Sequence, residues 1–382
     1  MMNILVLSRG IPDKKYPLNG IFELDQSLAL SKLGNKVIIL AIDLRSIRHR
    51  RKFGYYVHKK DELQIVNYSL PVGRIPKKIY VYLLRIITLW CMKRVIRKFG
   101  KPDLIHAHFG FPQGYIAGSI KKRYNIPLVI TEHLGDLALT NINNELKKYL
   151  KIAYSSADVI ISVSNIIQKN ILNLFKINSI VIGNMIDNSL FKFRDEKKDV
   201  NNGLFRFISV GHLIKGKGFD VLIYAFARAV KKNENIVLNI IGDGEEYRNL
   251  KNIVEDLGIK KWINFLGFCP RDKIALEYSI SDCFILTSRH ESFGVVYIEA
   301  LACGLPVIGT KCGGPEDFIN DQNGILVNID DIDDIEKAII KISNDSSYDR
   351  KKIARDISEK YYPDIIAKKI ENIYKEVLKE YD

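Results

Sequence analysis

Short runs of aliphatic and β-branched residues alternate with longer stretches of helical spacing along most of the chain. The runs lie at 3–7, 36–42, 104–107, 128–131, 159–163 and 179–182. A polar, charged segment, FRDEKKDVNNG (193–203), interrupts them. The alternation then restarts at 205–210, 237–241, 263–266, 283–286, 306–308 and 324–327. Strands alternating with helices predict parallel βαβ units and doubly wound sheets. One break between two such series predicts two α/β domains: a first over 1–192, a linker at 193–204 and a second over 205–360. Ligands in this architecture sit outside the carboxyl ends of strands, so the cleft between two such domains is the default site. A last helix, within 361–382, has apolar Ile365, Ile366, Ile370, Ile373, Tyr374, Val377 and Leu378 on one face. It must dock somewhere, and packing back on the first domain is the expectation.

Length and composition narrow the class. At 382 residues, 47% apolar and 27% charged, the chain has the composition of a folded globular protein and room for two or three cores. No run of 18 apolar residues is present, so no membrane-spanning helix is expected. The opening MMNILVLSRGIP lacks a basic leader and a small-residue cleavage site, and reads as a first strand. Cys91, Cys269, Cys283, Cys303 and Cys312 are odd in number and form no C-x-x-C pair. Buried free thiols in a reducing compartment fit better than disulfides or a zinc site.

Charge changes the picture when it is divided. Residues 1–200 hold 33 Lys+Arg against 15 Asp+Glu, and residues 201–382 hold 25 against 29. Within 44–101 the imbalance is 16 basic to 2 acidic. A basic first half suggests an anionic partner, with nucleic acid and an anionic membrane surface as candidates; solvated basic loops are the plain alternative. The segment 76–99 reads as a helix carrying Tyr80, Tyr82 and Trp90 with a basic last third. Such a helix lies on a membrane surface or packs its apolar residues into a core.

The richest chemistry lies in 283–304, CFILTSRHESFGVVYIEALACG. A strand gives way to a polar loop, and Phe293-Gly294-Val295-Val296 opens a helix whose free backbone N–H groups favour phosphate. Glu291 precedes that helix and Glu299 lies inside it. Carboxylates near a phosphate-binding helix end suit neutral hydroxyls, as of sugar and ribose, because each accepts several hydrogen bonds. Taken singly, each glutamate reads as an ordinary loop or helix residue.

The spacing Glu291-x7-Glu299, with SFG inside it and CGLPVIGTKCGG after it, resembles the E-x7-E signature of retaining glycosyltransferases of family 4, the two-Rossmann-domain GT-B type. Other segments resemble the same family in order: Asn19-Gly20-Ile21, DLIHAHFGFPQGYIAG (103–118), TEHLGD (131–136), ADVIISVS (157–164), GNMID (183–187), SVGHLIKGKGFDVLIYAF (209–226), IIGDGEE (240–246) and GGPEDFI (313–319). The resemblance covers roughly residues 3–330. It implies two Rossmann-like domains facing across a cleft, with a nucleotide-sugar donor held mainly by the second, as UDP- or GDP-sugar. It implies a glycan or lipid-linked acceptor held mainly by the first, and transfer with retention. Glu291 would contact donor sugar hydroxyls, Glu299 the ribose and Lys217 the diphosphate. Ser292, Phe293, Gly294 and Val295 would complete the donor site. His133 matches a first-domain histidine near the reaction centre, and Gly20 a first-loop glycine where a Cβ would crowd phosphate or acceptor. His212 stands where the family often has arginine, Asn19 replaces the first of two glycines, and GNMID replaces P-N-G-V-D.

His106 and His108, at i and i+2 of one strand, share a face. Metal ligation lacks an evident third ligand; acceptor binding and structural hydrogen bonding remain, and both residues are acceptor-binding candidates. Asp331-x-Asp333 matches a metal motif but reads as a helix cap. Gly242-Asp243-Gly244 lacks the last glycine of a dinucleotide fingerprint. The expectation is therefore a metal-independent transferase without a cofactor. It would make cell-surface polysaccharide or lipopolysaccharide in the cytoplasm, peripherally at the inner membrane face, and bind no nucleic acid. The alternatives are a nucleotide-sugar epimerase or phosphorylase of similar fold, and a non-catalytic basic membrane or nucleic-acid binder. The last leaves Lys217 and the paired glutamates unexplained.

Overall fold

The computed structural model describes residues 1–13, 16, 19–44, 53–73, 75–138, 142–195 and 203–381. The first series of apolar runs forms β1 (Asn3–Ser8), β2 (Lys36–Asp43), β3 (Gly54–Lys60), β4 (Leu63–Ser69), β5 (Leu104–His108), β6 (Leu128–Glu132), β7 (Val159–Ser162) and β8 (Ile180–Val181). They make one sheet in the order β3-β4-β2-β1-β5-β6-β7-β8. Only β3 and β4 pair antiparallel; the other neighbours are parallel. Ile4, Leu5, Val6 and Leu7 of β1 are all buried, as expected of a central parallel strand covered on both faces.

The hairpin β3–β4 falls within the basic stretch, where the apolar pattern predicts no strand. Its turn is Asp61-Glu62, with Asp61 in the left-handed region. β4 buries Leu63, Ile65 and Val66, whereas β3 ends in exposed His58-Lys59-Lys60. The polar edge strand masks the pattern that its buried partner carries.

The second series forms β9 (Phe205–Val210), β10 (Ile236–Ile241), β11 (Ile263–Gly267), β12 (Cys283–Leu286), β13 (Val307–Thr310) and β14 (Gly324–Val327). Their order is β11-β10-β9-β12-β13-β14, all parallel. Both sheets are thus doubly wound and Rossmann-like. The strand order reverses between β1 and β5 in one and between β9 and β12 in the other, and the loops leaving those strands define the crevices.

The chain divides into a unit of Met1–Met185 with Pro363–Asp382 and a unit of Ile186–Tyr362. The sequence pattern places the first boundary at 192, where polarity begins. Ile186 and Phe191 are fully buried in the second unit, Ile186 N–H donating to the Tyr361 carbonyl and Phe191 packing on Tyr278. Part of the expected linker, 196–202, lies outside the described residues. The helix Pro363–Lys379 belongs to the first unit, packs against the helix Ile21–Lys32 and buries Ile366, Ile370, Tyr374 and Val377. Asp331 caps the helix Ile332–Ser343, accepting from the Asp334 N–H at 3.0 Å. The five cysteines are buried free thiols. Among the described residues, no helix is long and apolar enough to cross a membrane, and no group of His, Cys, Asp and Glu side chains could hold a metal ion.

Candidate functional site

In the second unit, the loops after β9 and β12 meet. The β9 loop runs from Gly211 to Gly218 and carries His212 and Lys217. Gly218 has φ of +67° and starts the helix Phe219–Val230; a Cβ there would lie 2.0 Å from the Thr287 carbonyl oxygen. Only glycine allows this backbone-to-backbone approach. The Thr287 hydroxyl donates to the Gly218 carbonyl at 2.8 Å, tying the loops together.

The β12 loop brings up Glu291. Its backbone is held on both sides: Glu291 N–H donates to Cys312 O, and Gly314 N–H to Glu291 O. Its carboxylate is almost fully buried and accepts from Lys217 Nζ at 2.5 Å and from the Ser288 hydroxyl at 2.9 Å. Lys217 and Glu291, 74 positions apart, therefore form one charged pair at the carboxyl ends of adjacent strands. Gly294 begins the helix Val295–Ala302, whose N-terminus has no side-chain cap. The cation and the positive helix end together favour an anion, and the carboxylate beside them favours hydroxyl donors.

Ser292, Gly294, Val295 and Glu299 share this loop and helix with Glu291. The Phe293 side chain is buried against Phe318 and Tyr361. Glu299 is buried beside Arg271, with Nη2 3.3 Å from its Oε1, and the same guanidinium lies 3.9 Å from Asp187. His212 places Nδ1 2.5 Å from the Asp243 carbonyl oxygen. Nδ1 must donate there, so Nε2 is an acceptor in the neutral ring and a donor to phosphate only when the ring is protonated.

Sequence reasoning missed Arg289. Its guanidinium Nε reaches Asp330 at 3.1 Å, Nη1 and Nη2 reach Asp220 at 3.1 and 2.9 Å, and Nη1 also donates to the Lys215 carbonyl. Its backbone N–H donates to Gly216 O at 2.9 Å. The only hint in the sequence is its place two residues before Glu291.

In the first unit, β5 and β6 carry three histidines into contact. His106 and His108 rings stack at 4.6 Å, and His108 Nδ1 lies 3.0 Å from His133 Nε2. His106 is fully buried with both nitrogens engaged, Nδ1 to the Tyr374 hydroxyl at 2.5 Å and Nε2 to the Thr131 hydroxyl at 2.7 Å. His108 is 1% exposed. His106 and His108, expected to bind an acceptor, both lie inside the fold, with His108 against His133. Burial pushes His106 down to about 3 and His108 well below the usual imidazole range. His133, also pushed to about 3, owes this to burial first and then to the charge of Arg9. Phe109 and Phe22 flank the His133 ring at 5.0 and 6.0 Å.

The neighbouring Glu132, also unforeseen, is fully buried. It accepts from Gly110 N–H, the Tyr154 hydroxyl and Leu134 N–H at 2.7, 2.6 and 2.8 Å. It thus fixes the backbone on either side of His133. Gly20, at φ +74°, is required by its own loop, since a Cβ would sit 2.1 Å from Gly10 O.

Residues 191–360 match the family described as glycosyl transferases group 1, and residues 24–190 match glycosyltransferase family 4. The chain belongs to the GT-B glycosyltransferases of family 4 type. This glycosyltransferase is 28% identical to N-acetyl-alpha-D-glucosaminyl L-malate synthase of Bacillus anthracis, over 73% of its own length and 76% of that protein's. It is 26% identical to a putative teichuronic acid biosynthesis glycosyltransferase of Bacillus subtilis, over 94% and 93% of the two chains. Its fold is similar to that of sucrose-phosphate synthase from Thermosynechococcus elongatus, with a TM-score of 0.83, 20% identity and full coverage of both chains. In this glycosyltransferase, Lys217, Glu291, Ser292, Gly294, Val295, Glu299 and His212 fall on the second unit, and Gly20, His106, His108 and His133 on the first.

Proposed function

We propose that this glycosyltransferase moves a sugar from a UDP- or GDP-sugar to a glycan or lipid-linked acceptor of the cell surface, with retention and without a metal. The observation that carries the reading is the Lys217–Glu291 pair beside an uncapped helix N-terminus. The donor diphosphate would take Lys217 and the amides at Val295 and Val296. Neutralising the departing diphosphate is the largest demand of the reaction, and a preorganised cation and helix end meet it. Glu291 would then be released to accept from the donor sugar hydroxyls. Glu299 would serve the ribose, and His133 would serve the acceptor-binding unit. The relative described as a putative teichuronic acid biosynthesis glycosyltransferase supports a surface polymer as product.

The test is a thermal melt with a panel of UDP- and GDP-sugars in EDTA. A ligand at 100 times its Kd adds about 2.7 kcal/mol to the folded state. A clear rise with one nucleotide series, followed by EDTA-resistant transfer or slow hydrolysis of that donor, is expected. No shift with any nucleotide sugar, or activity that needs added magnesium or manganese, overturns the reading.

The same reading places the enzyme on an anionic membrane. The helix Lys77–Phe99 buries Val81, Leu84, Cys91, Met92 and Val95, so the core-packing role holds for one face. Its other face exposes Ile79, Tyr82, Ile86 and Trp90 at 49, 63, 46 and 39%, with Lys78, Arg85, Lys93, Arg94 and Arg97 exposed on the same helix. The helix has no acidic residue. Exposed aromatic and aliphatic groups among lysine and arginine match an anionic lipid surface, each basic group contributing up to about 1 kcal/mol. Co-sedimentation with anionic vesicles at low salt, lost at high salt and on neutral vesicles, is the expected result. Replacing Lys78, Arg94 and Arg97 with Gln should weaken it without changing nucleotide binding. No pelleting with anionic vesicles at low salt counts against membrane docking.

A further inference from the structure

We propose that Arg289 is a positioning residue that clamps the Lys215–Lys217 turn and so aims Lys217. The proposal rests on the reading of Lys217 as the diphosphate cation.

The argument starts from what the guanidinium touches. Its fork spans both oxygens of Asp220 in the first turn of the helix Phe219–Val230, its Nε reaches Asp330 beyond β14, and Nη1 donates to the Lys215 carbonyl. With the backbone bond to Gly216 O, the residue holds the turn from side chain and main chain together. The next ring, His290, packs on Gly216, where a Cβ would come within 2.7 Å of it. The turn is a single 3₁₀ turn, Lys215–Lys217, and such short pieces have little stability of their own. The two carboxylates hold Arg289 even further above its ordinary range, with Asp220 the larger influence.

These contacts also decide what Arg289 does not do. The chain has His212 where the family often has an arginine, and Arg289 is a cation close enough in sequence to Glu291 to suggest a replacement phosphate ligand. Four of its five N–H donors are already committed, to Asp220, Asp330 and Lys215. A planar fork gripping a carboxylate and a backbone carbonyl is a geometric part, and lysine cannot reproduce it.

A double-mutant cycle on UDP and GDP binding, read by calorimetry, separates this role from general structural support. Arg289→Met should weaken binding of the preferred nucleotide about 10-fold in the wild-type background and less than 2-fold in a Lys217→Ala background. Arg289→Lys should fail to rescue, because charge alone is not the function. Asp220→Asn, which loosens the same clamp from the opposite side, should repeat the pattern at smaller size and covers the case in which Arg289→Met does not fold. Equal weakening in both backgrounds, or full rescue by Arg289→Lys, overturns the proposal. Unchanged nucleotide binding in Lys217→Ala alone would instead remove the reading of Lys217 on which it rests.

Discussion

Lys217→Ala is expected to lower the rate of sugar transfer by about 10²–10³-fold, the range found when one preorganised donor to a developing charge is removed. The effect has two parts. On the proposed reading, the departing diphosphate would lose its cation. Glu291, almost fully buried, loses a charged partner at 2.5 Å and is left with the Ser288 hydroxyl, a neutral donor, on its carboxylate. A buried carboxylate stripped of its cation is costly, so some stability should go as well. Glu291→Ala should be similarly damaging to transfer yet leave the fold intact, since the loop is held by backbone bonds to Cys312 and Gly314. Transfer or hydrolysis rates with the donor found by thermal melt, compared with the melting temperature of each variant, provide the check. Near-wild-type rates in either variant would mean that the pair is structural.

Lowering the pH from 7 to 5 should cost the folded protein about 2 kcal/mol for each of His106 and His133. Both are held near 3 by burial, against an ordinary imidazole value of about 6.5. Between those values the unfolded chain binds a proton that the folded chain does not. Stability therefore rises with pH through this window; it is complete above about 6.5 and falls progressively towards 3. His108 acts in the same direction. The window above pH 5 lies above most carboxylate titration, so the histidines dominate there. Urea unfolding at pH 7, 6 and 5 in a Trp262→Phe variant, with Trp90 as the reporter in the first unit, tests it. His106→Gln should flatten the slope, and a flat profile with all three histidines in place would show that these rings accept protons in the folded state.

Much of the fold was legible because parallel strands buried on both faces are continuous apolar runs, and β1, β2, β9, β10 and β12 announce themselves that way. The hairpin β3–β4 was not, since one strand is a basic edge and local charge hides its pairing. At the site, motif spacing placed Glu291 and Glu299 on one loop and helix. It could not show that Arg271 faces Glu299 or that Lys217 reaches Glu291, because such contacts join loops from different strands. The histidines show the limit most clearly. Their spacing put two rings on one face, which fits ligand binding and burial equally. The partner that engages His106, Tyr374, lies 268 positions away.

That tyrosine sits on the helix Pro363–Lys379, and its place has a bearing on synthesis. The first unit is written in two pieces, with the whole second unit between them. The ribosome therefore releases every strand of the first sheet long before the segment that pairs with His106. The second unit is continuous, so its folding need not wait for any later part of the chain. Until the helix Pro363–Lys379 emerges, the surface of the first unit that it covers, including that of the helix Ile21–Lys32, would stand exposed. A tag or truncation after Tyr362 would lengthen or fix that state, and its damage would appear at His133, far from the cut in sequence.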